Sequence, residues 1–420
     1  GFKSRGLGDV YKRQVLDNGL RLFVLKDPTS PMAVVNMLYD VGSKDEDQSR
    51  TGFAHLFEHL MFGGSVNIPS YDTPLQKVGG ENNAFTTPDV TNYYLTLPSV
   101  NLETAFWLES DRMLGLSFNP EVLEVQRKVV IEEFKQRYLD QPYGDAWLRL
   151  RPLAYKEHPY QWATIGKDIS HIEGATMDDV KHFFNRFYHP ANAILVVGGD
   201  VDVAGVQKLA DKWFAGIPAG PVNRRNLKIE PAQVEARQLE VSAKVPVNAF
   251  YQVYHMPKRF EPSYYQTDLF CDILGRGKSS RLYQSLVKEK NIFSSIAAYL
   301  TGSLEPGLVV IHGKLTDGIT CDQGHQEVAQ LITHLLSEGV SSQELQKVKN
   351  QAESSLIFSE VTLLNRCMNL AMAAVAGDPQ LINKEIGLIR DVSDRELMDQ
   401  ARIVFKPENS STLYYKKQSA

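Results

Sequence analysis

Two imidazoles and a carboxylate crowd into five residues, His55-Leu56-Phe57-Glu58-His59. On a helix at about 100° per residue, His59 falls roughly 40° from His55 and Glu58 roughly 60° to the other side. All three then lie on one stripe about 100° wide. Imidazoles one turn apart can share a cation, and the neighbouring carboxylate can hold a water. The order is that of H-E-x-x-H run backwards along the chain. The ordinary alternative is a core helix, because Phe53, Leu56, Phe57, Leu60 and Phe62 flank the stripe. Burying three titratable groups without partners is costly, and a bound metal removes that cost.

Zinc suits such a site, since it takes nitrogen and oxygen donors in a tetrahedron and keeps one position open for water in catalytic centres. Two histidines leave one protein ligand to find, and a carboxylate would complete a His2Glu set. The strongest candidate lies in Gln126-Arg-Lys-Val-Val-Ile-Glu-Glu133. There Glu133 shares a helix face with Val129, Val130 and Gln126, read as the inward face. Glu132 lines up with Lys128 and reads as surface.

The elements that must position these residues follow from periodicity and breakers. Strands are expected over 20–25 and 32–39, then the histidine helix over 51–62, ended by Gly63-Gly64. A short helix over 71–78 and an antiparallel pair over 83–87 and 91–97 come next. Helices over 102–114 and 120–138 and a strand over 194–197 complete the first half. Residues 217–225, rich in proline, glycine and charge, read as a linker. The order then recurs: strands over 238–242 and 249–255, helices over 265–274 and 279–288, strands over 294–300 and 307–312, and a helical tail. The expected fold is α+β, with two related α/β-sandwich halves closing as a clamshell. The expected boundaries are 1–14 as a non-native or disordered leader, 15–216 as the metal-binding domain, 217–232 as linker, and 233–420 as a second domain without metal.

The chain has 420 residues, too many for one ordinary core. With 43 % hydrophobic and 23 % charged residues it reads as soluble and globular. A net charge of −5 gives no electrostatic reason to expect nucleic acid. No apolar run reaches the roughly 18 residues of a membrane span. Cys271, Cys321 and Cys367 are scattered, form no CxxC pair and read as small buried hydrophobes. Compartment is unreadable between periplasmic and cytoplasmic.

Four segments together carry a resemblance: Asp40-Val-Gly-Ser-Lys-Asp-Glu46, Gly52 to Ser65 around the histidines, Asn82-Asn-Ala-Phe-Thr86 with Thr91-Asn-Tyr93, and Val129-Val-Ile-Glu-Glu133. They resemble the pitrilysin/insulinase (M16) zinc metallopeptidases, in the short two-domain branch that includes mitochondrial processing peptidase. The resemblance implies that His55, His59 and Glu133 bind Zn2+ and that Glu58 is the general base. Glu133 follows His59 by 74 residues, close to the family's spacing. It also implies that an extended peptide adds to the sheet edge beside Asn83, Ala84, Phe85 and Thr86, through backbone hydrogen bonds.

Two departures stand out. Gln126 occupies a position where the family carries a second acidic residue. Val287 and Ser294 stand where active members place an Arg and a Tyr over the zinc. The expected protein is therefore a zinc endopeptidase subunit acting on extended peptides. A related chain lacking HxxEH would supply the missing pair in a heterodimer, with a homodimer as the alternative. The rival of a different class is a non-catalytic assembly subunit derived from the same family.

Overall fold

The computed structural model describes residues 11–223 and 225–418. The first sheet contains β1 (Tyr11–Val15), β2 (Arg21–Lys26), β3 (Met32–Tyr39), β4 (Glu81–Thr86), β5 (Thr91–Pro98) and β6 (Ala193–Gly199), in the order β1-β2-β6-β3-β5-β4. Only β2 and β6 run parallel. The second sheet contains β7 (Arg237–Ala243), β8 (Ala249–His255), β9 (Phe293–Leu300), β10 (Leu308–Leu315) and β11 (Ser410–Lys417), in the order β7-β11-β8-β10-β9. Only β7 and β11 run parallel. With β1 set aside, both sheets run first, fifth, second, fourth, third in chain order. This is the mixed α+β, two-domain fold expected from the recurring element order.

Three expectations need correction. Tyr11 to Gln14, assigned to a leader, belong to β1 and pair with β2 from Tyr11↔Leu25 onward. The Tyr11 ring packs edge-on against Phe23, which gives this edge strand its hold. Residues 1–10 of that leader lie outside the described residues. The tail is not wholly helical: its last element, β11, inserts between β7 and β8.

The third correction concerns the domains. The compact units are discontinuous: one holds residues up to 134, 162–227 and 358–383, the other 135–161, 228–357 and 384–420. The strand pattern explains why. In the second sheet Phe250, Tyr254, Val309, Ile311 and Tyr414 face one core, while Tyr251, Val253, Leu308, Val310, Leu413 and Tyr415 face another. Alternate residues on a strand point to opposite faces, so both faces are apolar and both need cover. The helix Ala146–Ala154 covers the second face with Ala146, Leu150 and Ala154, spaced one turn apart. In the first unit the helix Leu363–Val375 lies on β3 and β6 with Cys367, Leu370, Ala371 and Ala374 buried. It comes so close that a Cβ at Gly198 would sit 2.5 Å from the Cys367 sulfur. Each half of the sequence thus lends one helix to the other half's sheet. All three cysteines are buried free thiols, as expected.

Candidate metal centre

The histidines ride on an eight-residue helix, Phe53–Leu60, whose Phe53, Leu56, Phe57 and Leu60 are buried. Phe57 anchors it against Tyr188, with ring centroids 4.3 Å apart. The helix starts from Gly52 at φ +86°, where a side chain would be strained and its Cβ would meet Ile165 O at 2.7 Å. The first N–H groups need acceptors. Glu46, nine residues before His55, supplies them: Gly52 N donates to Oε2 at 3.0 Å and Ala54 N to Oε1 at 2.8 Å. Trp162 Nε1 also donates to Glu46 at 3.0 Å. Burial pushes the Glu46 carboxyl up to about 8, against the pull of these donors. At the other end Arg112 Nη1 lies 3.5 Å from the carbonyl of Met61. The Arg112 cation at this end suits the helix dipole.

Glu133 comes from the helix Pro120–Phe134, which buries Leu123, Val130 and Phe134. Val129, expected on the inward face, is instead 43 % exposed. Valines at 129 and 130 point about 100° apart, so the helix buries only one of them. Glu132 is exposed, as read from the sequence.

The two helices bring Glu133 Oε2 to 3.7 Å from His55 Nε2 and 3.6 Å from His59 Nε2. All three donor atoms lie within 4.8 Å of one another. Tetrahedral donors about 2.1 Å from a zinc ion sit roughly 3.4 Å apart, close to the two separations from Glu133, so the chemistry of the donor set fits zinc. The three side chains keep 15 % (His55), 24 % (His59) and 18 % (Glu133) of their surface exposed. Among the described residues no other three His, Cys, Asp or Glu side chains converge this way.

Glu58 is a half-buried neighbour of this triad, outside its donor set. Its carboxylate accepts a short hydrogen bond from the Thr86 hydroxyl. Burial raises its pKa first of all; the Thr86 hydroxyl and His59 lower it, and Glu133 raises it. Thr86 ends β4, the edge of the first sheet. Of the four residues read as peptide-binding, Ala84 and Thr86 share one strand face, and Asn83 and Phe85 the other. Asn83 is exposed and accepts the N–H of Ala84 at 2.8 Å. In the second unit Val287 is partly buried against the core, and Ser294 is exposed with its hydroxyl on Lys314 O at 3.1 Å.

The helix-capping Glu46, with Trp162 and Arg112, was not legible as a support. The one available signal was the acidic Asp40–Glu46 segment just ahead of the histidine helix.

The profile described as insulinase (peptidase family M16) matches residues 21–151, and the one described as "Peptidase M16 inactive domain" matches 174–352. The chain belongs to peptidase family M16. It is 27 % identical over 408 residues to the "Zinc protease PqqE" of Helicobacter pylori, covering 96 % of this chain and 91 % of that one. It is 22 % identical over 407 residues to the "Uncharacterized zinc protease YmxG" of Bacillus subtilis, with 96 % and 98 % covered. The crystal structure of a protease from Helicobacter pylori superposes with a TM-score of 0.90 at 27 % identity, over 97 % of this chain and 99 % of that one. Among the described residues no helix is long and apolar enough to cross a membrane.

Proposed function

We propose that this M16 chain is the zinc-binding subunit of an endopeptidase that cuts extended peptides. The convergence of His55, His59 and Glu133 beside a braced Glu58 carries the reading. His55, His59 and Glu133 would hold the zinc. Bound there, zinc would supply Lewis-acid polarisation of the scissile carbonyl and a lowered pKa for water. Glu58 takes that water's proton and passes it to the leaving amine. The β4 edge holds the peptide by main-chain hydrogen bonds, with Asn83, Ala84, Phe85 and Thr86 lining the strand.

Val287 and Ser294 offer no donors for the developing oxyanion; one is a hydrocarbon and the other is spent on Lys314. Losing one such donor costs about 10²–10³ in rate. A related chain with an Arg and a Tyr at those positions would restore them, which makes the active form a heterodimer. The test is cleavage of an unstructured peptide by the zinc-loaded chain, alone and with such a partner. We expect near silence alone and turnover with the partner. Full activity of the monomeric chain alone would overturn the heterodimer. Silence in every combination, with zinc bound, would favour an assembly role.

A further inference from the structure

The sequence places Thr86 among the peptide-binding residues, but its hydroxyl is already committed. A threonine has one O–H to donate, and Thr86 donates it to Oε2 of Glu58. What remains is acceptor capacity, which cannot serve a substrate carbonyl. We infer that Thr86 is a positioning residue for Glu58: it holds Oε2 so that Oε1 faces the water whose proton it takes. This rests on the reading of Glu58 as general base.

The backbone around Thr86 is built to keep it still. Thr86 pairs with Thr91 across the end of a tight hairpin. Within the turn, Thr87 Oγ1 accepts the N–H groups of Asp89 at 3.1 Å and Val90 at 3.0 Å. The segment 40–46 clamps that turn from outside. Ser43 N donates to Thr87 O at 3.2 Å and Lys44 N to Pro88 O at 3.0 Å. Lys44 Nζ meets Asp89 Oδ1 at 2.9 Å, with both side chains buried. Gly42 permits the approach, since a Cβ there would lie 2.4 Å from Pro88 O. The same segment ends in Glu46, which caps the histidine helix. One stretch of chain thus sets both the strand end that carries Thr86 and the helix that carries Glu58, and so their mutual distance. A glutamate has three rotatable bonds; fixing one oxygen from a rigid hairpin removes most of that freedom before the substrate arrives.

The experiment compares wild type with Thr86→Val, Thr86→Ser and Glu58→Gln, zinc-loaded and assayed with whatever partner cleavage requires. Valine keeps the β-branched shape and removes only the hydroxyl. We expect Thr86→Val to lower kcat about 10–100-fold, typical of an outer partner to a site residue. KM and zinc content stay unchanged, and Thr86→Ser regains most of the rate. A crystal structure of the zinc-loaded chain needs no turnover, and should show Thr86 Oγ1 on Glu58 Oε2 in wild type and a displaced carboxylate in Thr86→Val. A raised KM with unchanged kcat in Thr86→Val would make Thr86 a substrate contact and overturn the inference. So would a zinc-loaded wild type in which Glu58 turns away from Thr86. If Glu58→Gln keeps full cleavage, the assignment of the base fails instead, and the inference falls with it.

Discussion

The two sheets of this chain have one topology and two fates. In the first, the helix after the second strand carries His55, Glu58 and His59, and the third strand ends on Thr86. In the second, the helix after the second strand, Pro262–Gly275, buries Tyr265, Leu269, Phe270, Cys271 and Leu274. Its acids Asp268 and Asp272 lie one turn apart, with Asp272 on Arg276 at 3.0 Å. The strand order cannot be what makes a metal centre, since both units have it. What differs is local: two imidazoles on one stripe, a facing carboxylate, and a buried polar frame of Glu46, Lys44, Asp89 and Arg112. The candidate metal centre is grafted onto the fold and supported by residues of its own.

That contrast can be broken at several levels. The largest effect is expected at the proposed base. Glu58→Gln should lower peptide cleavage by about 10²–10⁴-fold while elemental analysis still finds zinc. Next comes the frame. Arg112 is buried against Glu109 at 2.5 Å, with its guanidinium over Tyr71, Tyr93 and Phe62. Arg112→Met strands Glu109 in the core and should cost about 3–5 kcal/mol in chemical denaturation. The borrowed helix comes third. Gly198→Ala pushes a methyl group into Cys367 and Leu363 and should cost about 1–3 kcal/mol by the same measurement.

The smallest effect belongs to the second unit. Burial lifts Asp268 to about 7, with Asp272 adding to it. From about pH 4 to 7 the native chain keeps that proton after the unfolded chain has released it. This group's contribution to stability therefore falls as pH rises through the window. Asp268→Asn should flatten that slope in pH-dependent melts and leave zinc content and cleavage as they were. A change in either would contradict this assignment of Asp268 to the second unit's stability alone.

The sequence carried the strands and the histidine stripe well, because period-2 and period-3.6 patterns report directly on faces that must be buried. Val129 shows the limit of that signal: adjacent valines cannot both face inward, and only packing decides which one does. The exchange of helices was not legible for a related reason. The Ala146, Leu150, Ala154 stripe announces a covered face without saying which sheet covers it. The strand Ser410–Lys417 was hidden because its partners lie some 160 residues or more earlier in the chain. The buried frame was illegible because Glu46 and Arg112 look like ordinary surface charges until their partners are known.

On the proposed reading, three side chains from two helices hold one zinc ion. Zinc per chain, measured by elemental analysis after zinc loading and dialysis, tests it most directly when wild type is run beside His55→Ala and Glu133→Gln. We expect one equivalent in wild type, none retained by His55→Ala, and a clear loss in Glu133→Gln. Wild type far below one equivalent, or undiminished zinc in both variants, would contradict the account.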